Sequence, residues 1–380
     1  MTQASIFQTL DDLRQRTTEA VIGQSGLNHP GLSAEIRRRF GSAEPLQGGV
    51  MQQAVIEAAP GYVEAEETMG DLAGTLLHPG TIDALNGGED ERPNRYRFRS
   101  EWHPYEHQVT AWQKLSDAAN PQSVLVTSGT GSGKTECFLV PIIDDLVRQS
   151  AGSGLEGVQA VILYPLNALI ASQEERLRDW TAPFGGRLKF CLYNGLLPEE
   201  LPSHQRQGRP EAVRDRKSLR ESPPPILVTN VTMLEYMLLR KEDAPILAKS
   251  QGKLRYVVLD EAHSYVGAQA AEIALLLRRV CLGFGVSPTD VRFIATSATI
   301  GGPDSQLQLQ KFLADVAGVA LEQVTVIEGR QQWPELPATD DTRPLAKALA
   351  DPVGEGSFET LASSASVRPL LDQLRKGPVP

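Results

Sequence analysis

From Ser123 onward, short continuous apolar runs alternate with longer stretches of helical spacing, and this rhythm restricts the chain more than any other feature. The runs are SVLVTS, QAVILYP, KFCLYNG, PILVTN, YVVLD and VRFIATS, most of them closing on a turn or polar residue. An unbroken apolar run suits a strand buried on both faces, as happens where helices cover both sides of a parallel sheet. The stretches between them, such as TECFLVPIIDDLVRQ, NALIASQEERLRDW and GAQAAEIALLLRRVCL, supply those helices. The expected fold class is therefore α/β: a doubly wound, mainly parallel sheet with helices on both faces. Ligands of such a sheet collect at the carboxyl ends of its strands, so the polar residues that close the runs are the candidates for chemistry.

The flanks read differently. Residues 1–98 show helical spacing in IFQTLDDLRQRTTEAVIG (Ile6, Leu10, Leu13) and in GLSAEIRRRFG, with frequent glycine breaks, and are expected to form a small, mostly helical accessory domain. In NRYRFRSEW, Arg95, Arg97 and Arg99 alternate with Tyr96 and Phe98. That is the period of a strand, either an edge strand with solvated arginines or a phosphate contact. RQSAGSGLEG (148–157) is a flexible surface loop by composition. Residues 198–225 end in a triple proline and carry six basic residues between Arg206 and Arg220, which makes them a DNA-facing hairpin or a solvated loop. After the last run come one helix-like piece, a strand QVTVIEG, and sequence rich in proline and glycine. Residues 99–330 thus form the α/β domain, and 331–380 a linker or the start of the next domain.

Composition sets the outer limits. The 380 residues, 41% hydrophobic, suffice for one large core with smaller units beside it. Cys137, Cys191 and Cys281 form no C-x-x-C pair, which argues against a zinc cluster or a disulfide framework. No signal-like N-terminus and no bilayer-length apolar run are present, so the chain reads as soluble and cytoplasmic, with no membrane partner. A net charge of −10 argues against a wide surface that coats nucleic acid nonspecifically, and still permits a local basic groove.

Two of the strand ends carry recognisable chemistry. SGTGSGKT follows an apolar run and opens a helix, the context of a phosphate-binding loop. Ser128, Gly129, Thr130, Gly131, Ser132 and Gly133 would turn backbone N–H groups toward phosphate oxygens. Lys134 would reach the outer phosphates and Thr135 would place its hydroxyl on Mg²⁺. The formal pattern has glycine where Ser128 stands, a mild departure because a small residue still permits the turn. VVLDEAHSY delivers Asp260 and Glu261 to another strand end, where one carboxylate can bind the metal and the next can accept a proton from an attacking water. Adjacent residues there point in different directions, so two roles are geometrically natural.

DEAH at Asp260–His263, SAT at 297–299 and the phosphate loop stand in the order and spacing of superfamily 2 helicases, and residues 101–329 resemble the first RecA-like motor domain of that family. YPLNALIASQ resembles its PTKALAQDQ element, ILVTNVTMLEYMLL its TNPDML element, and WHPYEHQ its adenine-reading glutamine motif. The pairing of TNVTML with DEAHSYVGAQAAEIALLLRRV resembles bacterial DEAH-box helicases related to RecQ-like repair helicases. That group also occurs in the large proteins of anti-phage defence systems such as Druantia and DISARM. The resemblance implies ATP and Mg²⁺ as cofactors, single-stranded DNA as track and a 3′ to 5′ motor in repair or phage defence.

Carried over residue by residue, the resemblance makes Gln108 the adenine reader, with Tyr105 as a stacking partner. Lys134, Asp260, Glu261 and His263 form the catalytic group. His263 would couple the ATP site to Ser297 and Thr299, although a buried structural histidine is the alternative. Asn167, Thr229 and Asn230 match elements that contact the nucleic-acid backbone, or else are strand-end caps; Leu166 and Val231 replace a threonine and a proline of the family pattern. His103 and His107 have the spacing of a metal pair, which Pro104 and the glutamine motif explain without a metal.

The family's second RecA-like domain, with its arginine finger, has no match here, so the chain reads as the N-terminal portion of a longer protein that binds ATP and alone hydrolyses little of it. Its partners would be nucleic acid, the remaining part of the same protein and defence-system proteins. Two other readings stay open: an ATP-gated binding module that unwinds nothing, and an RNA helicase.

Overall fold

The computed structural model describes residues 6–26, 29–41, 60–87, 96–117, 119–129, 131–150, 154–202, 208–265, 267–298, 305–340 and 356–375. They fall into two compact units, residues 61–332 and residues 1–60 together with 333–380. In the second of these, α1 (Ile6–Ser25) and α2 (Pro30–Phe40) pack together, with Arg37 Nε 2.6 Å from Glu19 Oε1, and two short helices span Ser357–Ser363 and Arg368–Leu374.

The larger unit is built on an eight-stranded sheet. A two-residue strand β1 (Gly61–Tyr62) precedes it. The sheet strands are β2 (Ser123–Thr127), β3 (Ala160–Leu163), β4 (Phe190–Tyr193), β5 (Ala212–Val213), β6 (Ile226–Thr229), β7 (Tyr256–Leu259), β8 (Arg292–Ser297) and β9 (Val324–Glu328). Their spatial order is β5-β4-β6-β3-β7-β8-β2-β9, and every neighbouring pair is parallel. β10 (Gln331–Gln332) leaves the sheet and pairs antiparallel with β1.

The pleat explains the apolar runs. β2, β3, β6, β7 and β8 are buried at every position. Alternate residues serve two cores: Val124, Val126, Ile162, Val228 and Ile294 join Trp112 and Phe138 on one face, whereas Leu125, Val161, Leu163, Leu227 and Ala295 join Phe284 and Phe293 on the other. Each large apolar side chain so placed contributes about 1.5–3 kcal/mol relative to exposure. Helices α4 (Glu106–Ser116) and α5 (Lys134–Ser150) cover the first face.

Three details depart from the expectations. Residues 61–98 lie in the unit of the sheet, because Met69, Leu72, Leu77, Ile82 and Leu85 enter the same core as Trp112. Part of this segment is α3 (Pro79–Asn86), whose N-cap His78 Nδ1 accepts from Gly80 N at 3.0 Å. The Tyr96–Ser100 stretch is not a strand: Phe98 N donates to Leu85 O and Tyr96 O accepts from Trp180 Nε1, so its backbone is tied to a helix end and an indole instead of a ladder. Arg95 lies outside the described residues. Finally, the charged 198–225 connection holds β5 and a helix at Arg216–Glu221 capped by Asp215, so it is neither a hairpin nor a simple loop. Arg206 lies outside the described residues, while Arg209 pairs with Glu174, Lys217 with Glu200, and Arg220 with Glu199 and Asp243. No described helix is long and apolar enough to cross a membrane.

Candidate active site

β8 lies between β2 and β7, so three adjacent strand ends meet along one edge: the glycine loop after β2, Ser297 closing β8, and Asp260–Glu261 after β7. Each glycine of the loop has a physical cause. Gly131 and Gly133 sit at φ +77° and +72°, where a side chain is strained. A Cβ on Gly133 would lie 2.1 Å from Gln108 Nε2, and one on Gly129 would lie 2.7 Å from Tyr62 Oη. Ser128, at the position the formal motif gives to glycine, is buried and shares a hydrogen bond with the hydroxyl of Ser132, while its N–H donates to Ser297 O. Lys134 opens α5 and donates from Nζ to Ser128 O at 2.8 Å and to Gly129 O at 2.9 Å. Thr135 follows in the first turn, half-buried. Thr130 and Thr299 lie outside the described residues.

The two carboxylates diverge as anticipated. Asp260 is 8% exposed and accepts a short hydrogen bond from Thr296 Oγ1, which in turn accepts from Glu261 N at 3.1 Å. Burial pushes the Asp260 carboxyl above the usual range, with Glu261 adding to the rise and the Thr296 hydroxyl and Lys134 opposing it. Glu261 adopts φ +53°, the one described non-glycine residue with positive φ, a strained conformation of the kind that clusters at functional sites. Its Oε2 stands 3.2 Å from His263 Nδ1, and the His263 side chain is 45% exposed, so His263 is not a buried structural histidine. Thr135 and Asp260 offer hard oxygen donors, and the buried carboxylate gains from a compensating cation; the set fits Mg²⁺.

At the other end of the loop, Gln108 is 3% exposed and its amide is used twice: Oε1 accepts from Tyr105 N at 2.9 Å and Nε2 donates to Gly133 O at 3.2 Å. Tyr105 stacks on His107 with ring centroids 5.5 Å apart. His107 hydrogen-bonds through Nε2 to Ser132 O, and burial lowers its pKa. His103 instead faces Ala65 O, so the two histidines serve different carbonyls. A cavity of about 670 Å³ opens beside Tyr105 and Gln108.

Asn167 opens the helix Asn167–Ser172 beyond the end of β3, Asn230 follows β6, and Asn230 Nδ2 donates to Asn167 Oδ1 at 2.7 Å. Asn230 also caps the helix Val231–Leu239 by accepting from Met233 N. Thr229 is fully buried and donates to Tyr193 O, so it presents no hydroxyl at the surface. Two residues at the site escaped the sequence reading. Thr296 carries the hydroxyl that joins the Asp260 carboxylate to the Glu261 backbone N–H; its signal was the pleat, which sets it on the face of Ile294. Tyr62, 6% exposed, packs on the glycine loop from β1, and nothing in its local sequence announces that.

Residues 105–306 match the DEAD/DEAH box helicase family. Druantia protein DruE of Escherichia coli (strain UMEA 4076-1) is 25% identical over 449 residues, covering 92% of this chain and 23% of DruE. The uncharacterized ATP-dependent helicase YprA of Bacillus subtilis (strain 168) is 27% identical over 202 residues, 52% of this chain and 23% of YprA. The chain thus spans about a quarter of the length of these relatives. Among solved structures, DEAD-box helicase Mss116 bound to ssRNA and UDP-BeF superposes with TM-score 0.53 at 16% identity, covering 83% of this chain and 54% of that one. The DUF1998 helicase MrfA bound to DNA and AMPPNP gives 0.50 at 21% identity, covering 73% and 32%. At these identities the two structures establish likeness of fold.

Proposed function

We propose that this chain, which belongs to the DEAD/DEAH box helicase family, is the nucleotide-binding motor domain of an ATP-dependent DNA helicase or translocase. The observation that carries the reading is the convergence on three adjacent strand ends of Lys134, the Asp260–Thr296 hydrogen bond and the strained Glu261. Gly131, Ser132 and Gly133 turn their N–H groups to the phosphates, and Lys134 exchanges its two carbonyl partners for phosphate oxygens. Thr135 and Asp260 would hold Mg²⁺, which would supply positive charge against the outer phosphates. Glu261 accepts the proton of the attacking water, and Thr296 holds the Asp260 carboxylate and the Glu261 backbone N–H. His263, beside Glu261, with Ser297, whose carbonyl takes the Ser128 N–H, links the state of the phosphate loop to the strand edge. Asn167, exposed and oriented by the half-buried Asn230, offers its amide to a nucleic-acid backbone.

DNA as track, 3′ to 5′ polarity and a role in repair or phage defence rest on the sequence resemblance, and the likeness to Druantia protein DruE supports the defence reading. Residues 61–332 are the motor domain and the smaller unit is the accessory part. ATP turnover with single-stranded DNA, against RNA as competitor, measured on this chain joined to a second RecA-like domain, tests this reading. Stimulation by DNA that RNA fails to displace supports it, and turnover indifferent to any strand contradicts it.

A further inference from the structure

A second cavity, of about 300 Å³, lies along β5 at the outer edge of the sheet, and its cations have been given no role. Lys189 enters it from just before β4, Arg209 from before β5 and Arg214 from just after β5, so three separate stretches of chain bring one positive charge each. All three residues are half-buried. Among the described residues of the wall, Asp215 supplies the one carboxylate. It is fully buried and already engaged, with Oδ1 accepting from Ser218 N at 2.7 Å to cap the helix Arg216–Glu221. Arg209 reaches Glu174 at 2.9 Å, but those side chains are 39% and 43% exposed, a setting in which an ion pair contributes little and exchanges readily. Among the described residues, the Lys189 ammonium makes no ion pair. Positive charges gathered in a concave, partly desolvated wall repel one another unless an anion joins them.

We infer that this cavity binds a phosphate group, at a site separate from the glycine loop. Phosphate suits the wall better than a carboxylate does, because its oxygens do not share a plane and can accept from donors arriving in several directions, the forked guanidinium groups of Arg209 and Arg214 among them. Ser218 adds a hydroxyl, while Pro210 and Val213 give an apolar side against which a sugar carrying the phosphate can rest. The place is distinct from those already described. β5 lies six strand spacings from β2 and three from β3, about 29 Å and about 14 Å at the usual separation. The inference therefore stands apart from the ATP site and from Asn167. A nucleic-acid backbone and a free phosphate ion offer the same chemistry, and experiment separates the two sources.

Two measurements on the 380-residue chain test this. In the first, binding of a single-stranded oligodeoxynucleotide is followed by fluorescence anisotropy over a series of salt concentrations. If the phosphate belongs to a strand, Lys189→Gln and Arg214→Gln should each weaken binding and flatten the slope of log K against log salt by about 0.7, the share of one phosphate contact on a single strand. Lys189→Arg keeps the charge and should keep the slope. In the second, inorganic phosphate is added to Lys134→Ala, whose glycine loop no longer answers to it, and thermal unfolding is recorded. If the ligand is free phosphate, the strand titrations of the variants should match the parent, and the rise in unfolding temperature seen in Lys134→Ala should vanish when Lys189→Gln or Arg214→Gln is added to it and persist with Lys189→Arg. Should Arg214→Gln fail to fold, Arg209→Gln takes its place. Folded variants that keep the parent's salt slope and also the full response to phosphate overturn the inference. If the chain binds no strand at all, the DNA reading above falls by itself and the phosphate measurement alone decides the site.

Discussion

Glu261 is held in a left-handed backbone conformation with its carboxylate beside His263 and its N–H on Thr296, so its position is set by its own turn and by β8. Glu261→Gln keeps the shape and removes the base; ATP binding should persist while turnover falls by about 10²–10⁴, measured as single-turnover hydrolysis. Thr296→Val keeps the shape of the strand and removes the hydroxyl that serves Asp260 and Glu261 N. Leaving those two partners unpaired should cost about 1–3 kcal/mol in denaturant unfolding. His107 gives a prediction in pH. Its folded pKa is lowered, chiefly by burial, from an unfolded value near 6.5, so the fold favours the neutral ring. That contribution is complete above the unfolded pKa and is lost as pH falls through the folded one. Thermal unfolding across this acid range should therefore change less in His107→Gln than in the parent. Ser297 and Thr296 show how far single residues were legible: the SAT element marked the right turn of chain, but which hydroxyl faces the carboxylates depends on pleat and neighbours that only the assembled sheet supplies.

At the scale of elements, the glycine loop is shaped from outside as well as by its own sequence. β1 brings Tyr62 over Gly129, and β10 holds β1 in place. Gly129→Ala should lower thermal stability and nucleotide affinity, and the loss should shrink in a Tyr62→Phe background, because the clashing atom is the phenol oxygen. Additive losses would mean that the contact does not shape the loop. The central strands were readable because burial on both faces leaves an unbroken apolar run. β5 was not, since two residues within a charged stretch carry no period. That stretch is anchored instead by Asp243, fully buried, which accepts from Arg220 Nε at 2.8 Å and Tyr193 Oη at 2.7 Å; burial, and next the Asp243 carboxylate, push the tyrosine up to about 12. Asp243→Ala leaves Arg220 paired with Glu199 alone and the buried Tyr193 hydroxyl without its acceptor, and should destabilise the domain by about 1–3 kcal/mol, read from chemical denaturation.

For the whole molecule, one edge of one sheet gathers the phosphate loop, the two carboxylates and their shared threonine, because β8 separates the two strands that carry them. This much was legible from the order of motifs and the βαβ rhythm. The membership of residues 61–98 in the same unit was not, since short helices and turns carry no long-range signal until Leu77, Ile82 and Leu85 are seen in the common core. The net charge of −10 and the internal pairing of Arg209, Lys217 and Arg220 argue against a broad basic face for nucleic acid. The central claim, that this edge is an ATP site with separate binding and proton-accepting residues, is tested most directly by ATP affinity measured side by side for the parent chain, Lys134→Ala and Glu261→Gln. Lys134→Ala should bind at least about tenfold more weakly, as loss of a charge-assisted contact implies, with Glu261→Gln close to the parent. Equal affinity in parent and Lys134→Ala, or loss of binding in Glu261→Gln, would contradict it.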